Sequence, residues 1–200
     1  MRVAYGLLQP TAGRVLIGER ATVFRSPADA IRAGIGMVHQ HFTNVLAMTV
    51  AENVALGNRG LYEPTAAIQR VRRLSERTQL VVDPEARVEW LSIAAQQKLE
   101  ILKALAKEAR ILILDEPTAV LAPAEAFELL AWLRGFADGG GSVVLITHKL
   151  GEALAVADET TVLRYGRTVF TASASKTSAI ELASAILGTA PPQELLRPTT

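Results

Sequence analysis

The spacing of apolar positions changes character along the chain. Residues 1–7, MRVAYGL, have no cap ahead of them and predict the end of a helix, followed by a turn at QPTAG. RVLIG (14–18) and ATVF (21–24) predict two short strands joined by a tight turn at Gly18–Arg20. SPADAIRAG (26–34) predicts a short helix. Ser26 serves as N-cap, Pro27 fits the first helical position, and Gly34 stops it. IGMVHQ (35–40) is a short apolar strand finishing on Gln40.

Beyond Gln40 the period is helical. TVAENVALG (49–57) carries a capping box, Thr49 with Glu52, and closes at Gly57. Residues 65–80 keep the helical period. SIAAQQKLEILKALAKEAR (92–110) is the clearest helix: Leu99, Leu102, Leu105 and Ala106 share one face, with Glu100 and Lys103 paired on the other. From residue 111, strands and helices alternate. ILIL (111–114) is a strand. Pro123–Ala137 is a helix ended by DGGG, and SVVLIT (142–147) reads as a strand buried on both faces. KLGEALAVA (149–157) is a helix and TTVLRYGRTVF (160–170) a hairpin turning at Gly166. SAIELASAILG (178–188) is a last helix with a Ser178–Glu181 capping box, and PPQELLRPTT (191–200) a loose end. The pattern predicts an α/β unit with a mostly helical insert near residues 41–108. In such folds functional groups sit at the carboxyl ends of parallel strands. Gln40, Asp115 with Glu116, and His148 occupy such ends.

Composition narrows the chemistry. A chain of 200 residues, half apolar, can build one sizeable core. Net charge is +1, without the basic excess of a nucleic-acid binder. The densest basic run, RVRRLSER (70–77), reads as a solvated helix face diluted by Glu63, Glu76 and Glu85. With no cysteine, disulfides and thiolate metal sites are excluded. No apolar stretch approaches bilayer length, and the N-terminus lacks signal-peptide character, so the expectation is a soluble protein or one held at a membrane by a partner.

Two adjacent carboxylates after an apolar strand are costly if buried and unpaired. A divalent cation relieves that cost. Asp115 and Glu116 then divide the work, one holding the cation and the other orienting or deprotonating a water. Solvated acids at a strand end are the plain alternative; ILIL before the pair and PT after it favour the functional reading. The Gln40 amide can accept from water and meet a cation at once. His39 and His41 flank it without an evident third ligand. His148 directly follows an apolar strand and is expected to face a ligand rather than merely cap the next helix. Ser92 opens the long helix; an N-cap role and an anion-binding role are equally compatible with the sequence.

In combination these segments resemble the nucleotide-binding subunit of an ATP-binding-cassette (ABC) transporter. HQHF (39–42) is similar to the Q-loop, LSIAAQQ (91–97) to the signature motif, and ILILDEPT (111–118) to the Walker B strand with its catalytic glutamate. AVLA (119–122) stands at the D-loop and THKL (147–150) at the H-loop. GMVHQHF…TVAENVALG and DEPTAVLAP most resemble the first cassette of tandem importers for simple sugars and nucleosides.

The resemblance implies a P-loop NTPase-like α/β core with a mostly parallel sheet and a helical subdomain. Residues 1–40 would be core up to the Q-loop and 41–108 the helical subdomain. Residues 109–171 would be core with Walker B and H-loop, and 172–200 a C-terminal helix and tail. It implies ATP and Mg²⁺, with Asp115 and Gln40 at the metal and Glu116 as general base. Gln40 and His148 complete the catalytic set, and Ser92, Ala94 and Gln96 contact nucleotide held by an opposing cassette. It also implies a second cassette, transmembrane permease subunits and, indirectly, an extracellular solute-binding protein as partners, with no nucleic acid. The location implied is the cytoplasmic face of the membrane.

The sequence departs from that pattern. The family's phosphate cradle, GxxxxGK[ST], is absent: the lysines are Lys98, Lys103, Lys107, Lys149 and Lys176, and none follows a glycine. The family places that loop, its strand and an adenine-stacking aromatic just before a stretch like MRVAYGLLQPTAG, so the expectation is a cassette lacking its first strands, with open sheet edges and a tendency to aggregate. Ala94 replaces a signature glycine, Ala95 its last polar residue, and Ala122 a common D-loop aspartate. Three functions stay open: a cassette ATPase segment of a sugar or nucleoside importer, a catalytically silent piece completing another cassette's site, and a soluble cassette of repair or translation.

Overall fold

The computed structural model describes residues 1–58 and 60–188, so the loose end expected at 191–200 lies outside the described residues. Residues 1–8 form one helical turn. Leu7 N donates to Arg2 O and Gly6 N to Val3 O, the paired bonds of a helix stop, with Gly6 at φ 75°. A hairpin follows, β1 (Val15–Ile17) and β2 (Arg20–Thr22), and then α1 (Pro27–Arg32). The Asp29 carboxylate accepts from the backbone N–H groups of Arg25 and Ser26, closing the start of α1.

The central sheet is parallel, in the order β3 (Ile35–Val38), β4 (Ile111–Asp115), β5 (Ser142–Ile146). Alternate side chains feed two cores. Val38, Leu112 and Leu114 pack under the helices with Leu99, Ile101, Leu102 and Leu133. Ile35 and Ile113 face the other way, onto Phe24 and Ala30. Each fully buried leucine contributes about 1.5–3 kcal/mol over leaving it exposed.

The helical layer comprises α2 (Val50–Ala55), α3 (Pro64–Thr78) and α4 (Ile93–Leu105). Its predicted capping box is formed: Thr49 N donates to the Glu52 carboxylate and Glu52 N to Thr49 Oγ1. Helix α4 lies directly on β3 because Gly36 leaves room. A Cβ there would stand 2.7 Å from the Ala104 Cβ and 2.9 Å from the Ala109 Cβ. Helices α5 (Pro123–Asp138) and α6 (Leu150–Val156) flank β5. The hairpin β6 (Glu159–Arg164) and β7 (Arg167–Ser173) turns at Tyr165–Gly166, both at positive φ, and α7 (Ala179–Leu187) follows.

One expectation needs correction. β5 is not buried on both faces: among the described residues it is an outer strand of the sheet, and Val143–Ile146 are half-buried. A run of apolar residues cannot report whether a ladder partner exists on each side. The expected Glu100–Lys103 pair on α4 is formed at 3.1 Å, with Glu100 3% exposed against 18% for Lys103. The helical period places it beside the loop that follows β3, which a linear pattern does not reveal.

Candidate functional site

The sheet brings three of the candidate segments to one edge. β3, β4 and β5 are parallel neighbours, so Gln40, the Asp115–Glu116 pair and His148 follow adjacent carboxyl ends. The ladder carries one step past β4, with Glu116 N donating to Ile146 O at 2.9 Å. Glu116 then turns left-handed at φ 51°, and buried Pro117 and Thr118 lead the chain away. A left-handed non-glycine residue costs on the order of 1–2 kcal/mol. Here that conformation ends the strand and separates the surroundings of the two carboxylates.

The Glu116 Oε1 lies 2.8 Å from His148 Nδ1, the Glu116 side chain 16% and that of His148 74% exposed. The other oxygen, Oε2, is buried without a hydrogen-bond partner among the described residues. A buried carboxylate oxygen with free lone pairs is costly, and it is the natural acceptor for a proton from a bound water. The Asp115 carboxylate makes no hydrogen bond to any described residue and stands half-buried at the end of β4.

A polar clasp holds the Glu116 and His148 loops together. Thr118 Oγ1 donates to Glu152 Oε2 at 2.5 Å, while Lys149 Nζ reaches Thr118 O and Glu152 Oε1, each at 3.0 Å. Thr118 is fully buried. The sequence reading assigned nothing to these residues. The available signals were a threonine directly after Glu116–Pro117 and a Lys–Glu pair three apart after His148.

Gln40 is exposed in a bend past β3. His39 packs edge-on against Tyr5 at 6.1 Å between ring centroids, and burial raises the Tyr5 phenol above its ordinary pKa. Ser92 is exposed and caps α4, its Oγ accepting from Ala95 N at 3.2 Å. Gln96 is buried, its amide donating to Leu91 O at 3.2 Å. Ala94 lines a cavity of about 110 Å³ with Gln97, Leu121, Leu129 and Trp132. No hydrogen bond joins Ser92, Ala94 or Gln96 to the Asp115–Glu116–His148 group among the described residues. The structure thus gathers Gln40, Asp115, Glu116 and His148 on one edge and leaves Ser92, Ala94 and Gln96 on a separate helix.

No group of three or more His, Cys, Asp or Glu residues that could hold a metal occurs among the described residues. Mg²⁺ is ordinarily held by one or two carboxylates, with water and phosphate oxygens completing the shell. The unpartnered Asp115 fits that requirement. The described residues include no helix long and apolar enough to cross a membrane.

Comparison with known proteins bears on the same segments. The ABC transporter family pattern matches residues 1–119. A nucleoside import ATP-binding protein of Lactococcus lactis subsp. cremoris (strain MG1363) is 44% identical over 192 residues, 94% of this chain and 38% of that protein. A glucose import ATP-binding protein of Haloferax volcanii is 40% identical, covering 94% of this chain and 40% of its own length. The chain therefore spans well under half the length of these curated relatives. Among solved structures, cbiO1 from Clostridium perfringens, described as part of a cbiONQ ABC transporter complex, superimposes with a TM-score of 0.73 at 26% identity. That match covers 88% of this chain and 71% of the other. An ADP-bound ATP-binding cassette gives a TM-score of 0.79 at 20% identity, over 94% of this chain and 80% of that one, a likeness of fold.

Proposed function

The chain belongs to the ABC transporter family, and from that premise we propose that it forms part of an ATP-hydrolysing subunit that energises import of a simple sugar or nucleoside. The single observation that carries this is the Glu116–His148 contact beside an unpartnered Asp115, at the edge where Gln40 also emerges. Glu116 Oε2 accepts the proton of the attacking water, and His148 fixes the other carboxylate oxygen and stays open to solvent for a phosphate. Asp115 and Gln40, at the ends of neighbouring strands, would hold Mg²⁺. When bound, the cation would neutralise phosphate charge. Lys149, Glu152 and Thr118 keep the Glu116 and His148 loops in register.

Relatives named as nucleoside, glucose and ribose import ATP-binding proteins support the solute class. The partners proposed with it are permease subunits, a second cassette and, through the permease, a solute-binding protein. With them the chain would lie at the inner face of the membrane. The test is Mg-ATP turnover by the full-length protein with its partners. Glu116→Gln is expected to lower it by about 10²–10⁴-fold, the usual worth of a general base. Turnover within a few-fold of wild type would refute the assignment.

A second reading takes up one observation: no GxxxxGK[ST] occurs in these 200 residues. In that reading the chain is catalytically silent and completes another cassette's ATP site through Ser92, Ala94 and Gln96, with Ser92 exposed at the start of α4. Turnover that appears only on mixing with an intact cassette, and is abolished by Ser92→Arg, would decide for it.

A further inference from the structure

Glu100 is the most deeply buried carboxylate that the proposed chemistry leaves unused. Its Oε1 accepts from Thr43 N at 2.6 Å, and both oxygens accept from Thr43 Oγ1 at 3.1 Å. Lys103 Nζ donates to Glu100 Oε1 at 3.1 Å, to Thr43 Oγ1 at 3.1 Å and to Asn44 Oδ1 at 3.0 Å. Asn44 Nδ2 reaches Gln96 O. Next to this, Asn53, only 1% exposed, accepts from Val45 N at 2.8 Å and donates to Val45 O at 3.0 Å. Residues 43–45 are therefore stitched to α4 and α2.

On the other side, Val38 is fully buried and paired with Leu114 in the sheet. Only residues 39–42 lie between these two anchors, and Gln40 is among them. No hydrogen bond holds the Gln40 side chain among the described residues. Its place is set by where the two anchors stand. A loop of four residues has little slack, at most about 3.3–3.6 Å per residue.

We propose that Glu100 is a positioning residue for Gln40, fixing the loop end at Thr43 to α4 and so setting where Gln40 stands at the carboxyl edge of the sheet. This rests on the reading of Gln40 as part of the ATP site. A purely structural function would not require the charge. A buried ion pair is commonly replaced by apolar residues of like volume with little loss of stability, because two desolvation penalties disappear with the attraction. The positioning bonds, by contrast, need acceptor oxygens at Thr43.

The experiment uses the full chain and three variants: Glu100→Gln, Glu100→Leu and the double variant Glu100→Leu/Lys103→Met. Three quantities are read: amide hydrogen exchange at Thr43, the NMR signal of the Gln40 side-chain amide, and kcat against KM for ATP with partners present. In the double variant Tm is expected to stay near wild type while Thr43 exchange rises at least about tenfold and the Gln40 signal shifts or broadens. kcat falls about tenfold with KM within about twofold, the mark of an interaction used after binding. Glu100→Gln, which keeps one acceptor for Thr43 N–H, shows each of the three effects in part. An unchanged Gln40 signal in the folded double variant, or a faster loop with unchanged kcat, overturns the proposal. Should the wild-type protein turn over no ATP, the ATPase reading fails, and the Gln40 signal still decides whether Glu100 positions it.

Discussion

Glu116 combines a left-handed backbone, a histidine contact on one oxygen and an orphaned second oxygen in one residue. Backbone strain and unsatisfied polarity concentrated at one side chain are a stability cost that the fold carries elsewhere. The two contributions can be separated by substitution. Glu116→Ala removes the carboxylate and keeps the Cβ penalty at φ 51°, whereas Glu116→Gly removes both. The glycine variant is expected to be more stable than the alanine variant by about 1 kcal/mol, with turnover abolished in both. Urea denaturation measures the difference; an alanine variant at least as stable as the glycine one would show that the turn is not strained. Thr118 makes the complementary case, a residue whose cost appears only when it is removed. Thr118→Val leaves Glu152 Oε2 without its donor, at about 1–3 kcal/mol.

Among the elements, α4 depends on a residue outside itself. Its seat on β3 exists because Gly36 has no side chain, and Gly36→Ala would press a methyl into Ala104 and Ala109. Over-packing of this kind costs about 1–3 kcal/mol, seen as a lower urea midpoint with an unchanged slope. The start of α1 adds a pH signature. Hydrogen bonds from the Arg25 and Ser26 backbone, with the Ser26 hydroxyl and Arg32 assisting, lower the Asp29 pKa below its ordinary 3.8. A carboxyl depressed in the folded state stabilises above its unfolded pKa, and the contribution fades as pH falls through the folded value. Asp29→Asn should therefore lose stability near neutral pH and converge on wild type in acid well below 3.8. Caps, turns and the strand that carries the carboxylates were legible in the sequence because each is written in a few consecutive residues: Ser26–Pro27, Thr49 with Glu52, Gly166, ILILDE. The Glu100–Thr43 and Thr118–Glu152 pairs were not legible, since each joins segments 57 and 34 residues apart that only the sheet brings together.

At the scale of the whole molecule, the sheet of the described residues ends on β5. In a parallel strand one residue bonds on one side and the next on the other. Ser142 N donates to Arg110 O, and Ile146 O accepts from Glu116 N, so residues 142, 144 and 146 face β4. Val143 and Leu145 consequently turn their backbone N–H and C=O outward, on an apolar, half-buried strand that carries no charge. Such an edge is a template for pairing with another chain. The 200-residue chain on its own is expected to associate with rising concentration, as followed by light scattering. Val143→Pro removes an outward N–H and no ladder bond, so it should suppress association while leaving the fold intact by circular dichroism. Val144→Pro deletes a bond to β4 and should unfold the sheet. A Val143→Pro chain that associates as readily as wild type would locate the association on another surface. The parallel alternation along β5 is what makes two neighbouring valines give opposite results.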